Sequence, residues 1–164
     1  MTGDEKVITQ MESELDRLLG WVRSAESRLA LILPLATAML GALAILAPAV
    51  SKWTVIGSIV VTLAVLFLLL SIVFAACASF PRTKGPKGSL IYFGGIITKE
   101  LSQYEAAVKS RSPEAYINDL VSQCHRNAQI ADRKYTWVQR SMACLFVSAL
   151  PWIVAIFILY SEKL

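Results

Sequence analysis

The sequence predicts an all-α integral membrane protein with three transmembrane helices and cytoplasmic helical extensions, the last helix running unbroken into the third span. Three observations predict this. The 164 residues are 55% hydrophobic and only 17% charged, against about 45–50% apolar and about 25% charged in a typical soluble domain. The surplus lies in three long uncharged runs. Fourteen of the sixteen basic residues fall on one side of those runs once all three are threaded through a membrane. The length fits one compact unit.

Residues 1–28 read as a cytoplasmic amphipathic helix. Ile8, Met11, Leu15, Leu18, Val22, Ala25 and Leu29 recur at alternating steps of three and four. That is a heptad seam, the spacing that packs one helix along another. Glu12, Glu14, Asp16 and Arg17 fall off the seam onto a solvated face.

Residues 29–80 read as a transmembrane hairpin with spans 29–47 and 54–80. The first run, LALILPLATAMLGALAILA, carries no charge and matches the roughly 20 helical residues that cross a hydrocarbon core. It starts too late to be a secretory signal peptide, and a charged helical segment precedes it. Pro34 removes a backbone hydrogen bond and tends to kink the helix. Thr37, Ala38, Gly41 and Ala42 form a small-residue face suited to helix contact. The second run is longer and crosses with tilt.

Residues 81–140 read as a cytoplasmic loop and helices. Phe80-Pro81 breaks the chain, and PRTKGPKGS is a Pro/Gly/Lys-rich loop. It lacks the GxxxxGK[ST] phosphate-binding pattern. A basic loop beside a membrane touches anionic headgroups, or alternatively a phosphate ligand. Leu90 to Val108 continues at helical spacing, with Gly94 and Gly95 allowing a turn or a close backbone approach. Ser112-Pro113-Glu114 is a helix start: Ser as N-cap, Pro in the first turn, Glu at the positive end of the dipole.

The helix from Pro113 meets no breaker before span three. Its seam is Ile117, Leu120, Cys124, Asn127, Ala131, Lys134 and Val138. Asn127 and Lys134 are polar seam members, which set register or face a ligand cavity. Residues 141–164 form the third transmembrane helix and a short external tail, with Pro151 inside the span.

Lys- and Arg-rich segments stay in the cytoplasm. The basic residues cluster before residue 29 and within 81–140, leaving Lys52 and Lys163 on the opposite side. This places the N-terminus in the cytoplasm and the C-terminus in the periplasm or outside. Trp53, Trp152 and Tyr160 then fall near the outer interface, where aromatic rings are favoured. The net charge of +4 reflects this topology and does not point to nucleic acid.

No catalytic constellation is present. His125 has no Cys or Asp partner at useful spacing and reads as an exposed helix-face residue. GxSxG, HExxH and paired carboxylates in apolar runs are absent from the sequence. Cys77, Cys124 and Cys144 have neither disulfide nor zinc spacing. No metal or cofactor is expected, and no intramembrane charge marks a transport path. The chain reads as one that binds, senses or assembles.

Three segments resemble the Pycsar effector transmembrane family, PycTM, whose members join a few membrane helices to a cytoplasmic helical part. WVRSAESRLALIL resembles the family's entry into span one, with Glu26 and Arg28 where Asp and Lys are expected. SLIYFGGI resembles its apolar-Phe-Phe-Gly segment, with Tyr92 in the first aromatic place, then Phe93 and Gly94. AYINDLVSQCHRNAQIADRKYTWVQRSM resembles the long helix with a Lys-Tyr pair before the last span, through Tyr116, Asp119, Asn127, Lys134 and Tyr135.

The resemblance implies a bacterial antiphage effector of the inner membrane that binds a cyclic pyrimidine mononucleotide, cUMP or cCMP. It implies a homo-oligomer that impairs the membrane and stops growth of the infected cell. Under it, Arg28 and Lys134 meet the phosphate, with Glu26 beside them. Tyr135, Tyr92 or Phe93 stacks on the base, and Asn127 or Asp119 bonds its edge. Two other readings stay open: a structural scaffold in the membrane, and a constitutive holin-like pore without a small ligand.

Overall fold

The computed structural model describes residues 3–49, 52–81 and 83–163. Arg82 of the basic loop lies outside them, as does the side chain of Lys163. The described residues form five helices: α1 Gly3–Leu46, α2 Val55–Ser79, α3 Phe93–Ile96, α4 Leu101–Lys109 and α5 Pro113–Lys163. Three of them are long and apolar enough to cross a membrane. The fold class predicted from sequence is the fold observed, including the long last helix of 51 residues.

Local chemistry sets the boundaries. α1 stops ahead of Ala47-Pro48, because a residue before proline is pushed out of the helical region. Thr54 caps α2: its backbone is extended and its hydroxyl accepts from Gly57 N–H at 3.1 Å. Phe80 turns extended before Pro81 and ends α2 (φ −59°, ψ 125°). Ser112 caps α5 as expected, accepting from Ala115 N–H at 3.1 Å. Both prolines inside spans, Pro34 and Pro151, are carried without a break in helical structure. The stretch expected to be helical from Leu90 is divided. α3 is one short turn, and α4 starts only at Leu101. Gly95 explains part of this, since a Cβ there would run into the Ser89 carbonyl oxygen. The backbone therefore folds back on itself at the glycine pair.

The chain divides into two compact units. The membrane unit comprises residues 25–80 and 134–164, and the polar unit residues 1–24 and 81–133. In the membrane unit, buried positions recur in heptads on every helix. On α2 they are Gly57, Ala64, Leu68, Ser71, Ala75 and Ala78. On α5 they are Val138, Ser141, Leu145, Ser148, Ala155 and Leu159. Small residues every seven positions (57, 64, 71, 78 and 141, 148, 155) let helix backbones approach closely in a lipid environment. The small face expected on α1 plays no such part within the chain. Thr37, Ala38 and Gly41 are exposed, and a Cβ at Gly41 would meet nothing within 4 Å.

Polar ties fasten this packing. Ser71 Oγ donates to the Ser141 carbonyl at 2.9 Å, and Ser141 Oγ donates back to the Ser71 carbonyl at 2.8 Å. Trp152 Nε1 donates to the Met39 carbonyl at 2.9 Å, so this indole ties α5 to α1. In the polar unit the α1 seam is present as read from the sequence, with Leu18 and Leu120 of α5 buried. Cys124 Sγ donates to the Met11 carbonyl at 3.6 Å, and Tyr116 Oη donates to Glu12 Oε1 at 2.7 Å.

Candidate functional site

The membrane unit carries four of the eight candidate residues together. Glu26 lies on α1 just before the apolar run, and Lys134 lies on the buried seam of α5. Lys134 Nζ donates to Glu26 Oε1 at 2.8 Å. The pair is asymmetric: the lysine side chain is 6% exposed and the glutamate 54%. A buried ammonium needs a counterion, and only one face of this counterion is protected from water. One residue further along α5, the Tyr135 ring lies 5.5 Å from the Arg28 guanidinium, within cation–π range. Glu26 also rims a groove of about 400 Å³ lined by Leu29, Leu33, Pro34 and Ser79. Two cations, one ring and one water-facing carboxylate thus share a small area at the polar end of the spans. Arg140 stacks 4.8 Å above Trp137 in the same unit.

The other four candidates lie in the polar unit and are engaged there. Asp119 Oδ2 accepts from Leu90 N–H at 2.9 Å and from Arg111 Nη2 at 2.5 Å. Asn127 Nδ2 donates to the Gln123 carbonyl one helical turn back, at 2.9 Å. Tyr92 Oη donates to the Thr83 carbonyl. Its ring stands 4.5 Å from that of Phe93, which is exposed.

Sequence reasoning named Asp119 but passed over Gln123 and Arg126, which organise this unit with it. Asp119, Gln123 and Arg126 recur at helical spacing and hold the loop before α3 against α5. Gln123 Nε2 donates to Ser89 Oγ at 2.9 Å, and Ser89 Oγ accepts from Tyr92 N–H at 3.0 Å. Arg126 Nε donates to the Lys84 carbonyl at 2.7 Å. Arg111 was a second omission. Its side chain is 13% exposed and lies 4.6 Å from the Tyr116 ring. The visible signal was a basic residue immediately before the Ser-Pro helix start.

Two groups in the polar unit titrate above their ordinary values. The Tyr116 phenol is raised first by its hydrogen bond to Glu12 and then by burial. The Cys124 thiol is raised by burial and then by the Glu14 charge. Both shifts disfavour the anion, so neither side chain is a ready nucleophile. Among the described residues no group of three or more His, Cys, Asp or Glu gathers to hold a metal.

The Pycsar effector protein domain matches residues 10–161. The chain belongs to the Pycsar effector family. It is also 27% identical over 145 residues to the Pycsar effector protein PtPycTM of Propioniciclava tarda, a likeness covering 79% of this chain and 72% of that one. No solved structure matches. Membership in this family makes the chain an effector of antiphage defence, and its three apolar helices make it a multi-pass membrane protein. The PycTM resemblance drawn from three short segments therefore holds along nearly the whole chain.

Proposed function

We propose that this Pycsar effector binds a cyclic pyrimidine mononucleotide, cUMP or cCMP, and in response impairs the bacterial inner membrane and stops growth of the infected cell. The family match over residues 10–161 carries the reading. The charge distribution supports a cytoplasmic N-terminus and a periplasmic C-terminus.

The ligand-contact set in this proposal is Glu26, Arg28, Lys134 and Tyr135. A cyclic mononucleotide carries one negative charge. Its phosphate replaces Glu26 as the counterion of Lys134, so the buried ammonium stays neutralised. Arg28 supplies a second cation, and its planar donors suit phosphate oxygens. The Tyr135 ring offers a face to the base. Glu26, once released, accepts from a ribose hydroxyl or a base N–H. A ligand moves an equilibrium only by binding one state more tightly than another. At a hundredfold excess over its dissociation constant it supplies about 2.7 kcal/mol. That energy favours a homo-oligomer whose spans no longer seal the bilayer.

Calorimetric titration of the purified protein in detergent with cUMP, cCMP, cAMP and cGMP tests this. One pyrimidine ligand is expected to bind selectively, and charge reversal at Arg28 or Lys134 abolishes the response while membrane insertion persists. A full response in both variants refutes this ligand set. No binding of any of the four by a folded sample refutes the nucleotide reading and favours a scaffold or a constitutive pore.

A further inference from the structure

A second candidate site lies wholly within the polar unit. A cleft of about 520 Å³ opens between the Pro86–Leu90 loop, the end of α4 and the first turns of α5. This is within the roughly 300–1,000 Å³ typical of small-molecule sites. Its polar lining includes Lys87, Ser110, Arg111, Ser112, Asn118 and Ser122.

The charges facing the cleft are Lys87 and Arg111, both positive, and Asp119, negative. Arg111 and Asp119 neutralise one another at 2.5 Å. The cleft therefore presents one net positive charge, from Lys87. That balances a monoanion better than a dianion.

The donors fit an anion without disturbing the pair. A guanidinium has five N–H donors, and the Arg111 contacts to Asp119 Oδ2 and the Ala115 carbonyl both run through Nη2. Nε and Nη1 remain for a ligand. Ser112 Oγ accepts from Ala115 N–H, leaving its own proton to donate. Burial of Arg111 matters as well. A donor fixed by an ion pair and by the Tyr116 ring gives up little conformational entropy on binding.

From this we infer that the cleft binds a phosphodiester monoanion, held by Lys87, Arg111 and Ser112. The chemistry is shared by two sources, a soluble cyclic nucleotide and a glycerophospholipid headgroup. The inference does not depend on Arg28 or Lys134.

The test titrates the full-length detergent-solubilised protein with cUMP and with glycerophosphoglycerol, a water-soluble headgroup. Two variants probe the cleft. Lys87→Glu changes an exposed residue. Arg111→Lys keeps the charge opposite Asp119 but removes the planar donors. At least one of the two compounds is expected to bind, with affinity reduced about tenfold in each variant, the scale of a lost charge-assisted hydrogen bond. If cUMP behaves so, the source is the soluble nucleotide. If only glycerophosphoglycerol does, the cleft stands with a lipid source. If neither compound binds the wild type, the inference is overturned. If cUMP binding is lost only on charge reversal at Arg28 or Lys134, and neither compound binds more weakly in the cleft variants, the inference is overturned while the proposed function stands.

Discussion

Removing the Glu26 carboxylate strands the Lys134 ammonium. Breaking a fully buried pair by deleting one partner costs about 3–5 kcal/mol, and an exposed pair is worth about 0–1 kcal/mol. This pair lies between the two limits, with side chains 6% and 54% exposed. Water reaches Glu26 and screens it, so the loss on Glu26→Ala is about 1–2 kcal/mol. Lys134→Met removes the charge that needs a partner and keeps a chain of similar length, leaving Glu26 to water. The double variant Glu26→Ala/Lys134→Met is therefore expected within about 0.5 kcal/mol of wild type, since no unpaired charge stays buried. The assay is reversible unfolding in mixed micelles titrated with a denaturing detergent and followed by helical circular dichroism. A double-mutant cycle isolates the pair. Glu26→Ala as stable as wild type, or a double variant no better than the single, refutes the reasoning.

Three more expectations follow from the packing. Gly95→Ala drives a methyl into the Ser89 carbonyl and costs about 1–3 kcal/mol, the range for overpacking; faster amide exchange across residues 83–100 reports it. Tyr116→Phe tests a pH effect: the phenol donates to Glu12 and its pKa is raised, chiefly by that bond. The bond's contribution is complete below the ordinary phenol value of about 10 and is lost as pH rises through the higher folded value, so wild type loses stability there and the Phe variant shows a flatter profile. Ser71→Ala and Ser141→Ala each delete one buried donor while leaving the other bond intact, so each costs about 0.6 kcal/mol, the mean for interhelical hydrogen bonds in membranes; equal stability of the double Ala variant and wild type in the micelle assay counts against both bonds.

The fold was legible because lipid leaves few choices. An uncharged run of helical length has to satisfy its backbone internally, and the heptad seams on α1 and α5 could be read residue by residue. The local stops were legible too, at Pro48, Pro81 and Ser112-Pro113, because proline and a capping hydroxyl act on their neighbours alone. The contacts that build the candidate sites were less so. Lys134 stood out as a polar seam residue, but its partner Glu26 is 108 positions away, and no local pattern joins them. Asp119 entered the ligand set through the family resemblance, and its own partners cannot be seen in sequence; in the structure it holds Arg111 and the Leu90 amide. The small residues Thr37, Ala38 and Gly41 pointed to a contact face on α1, yet all three are exposed. The seven-residue recurrence of Gly57, Ala64, Ser71 and Ala78 was the better signal.

Those serines bear on how a ligand acts within the membrane unit. Lys134, Ser141, Ser148 and Ala155 lie seven residues apart on one buried line of α5. In the proposed mechanism, a ligand that takes over Lys134 acts at the start of the seam that holds the spans together. Shifting α5 along this seam breaks the reciprocal Ser71–Ser141 bonds and the Trp152–Met39 bond. At about 0.6 kcal/mol each, these three bonds resist with about 2 kcal/mol. A ligand at a hundredfold excess supplies about 2.7 kcal/mol, enough to overcome them if the phosphate keeps Lys134 neutralised. It is not enough if the ammonium must also be left without a counterion, a further cost of about 1–2 kcal/mol. In the proposed mechanism these energies favour an anionic ligand over a neutral one. They also predict that Ser71→Ala, by weakening the resting packing, lowers the ligand concentration needed for half-maximal permeabilisation of liposomes. An unchanged or higher midpoint in that variant would show that the response does not pass through this seam.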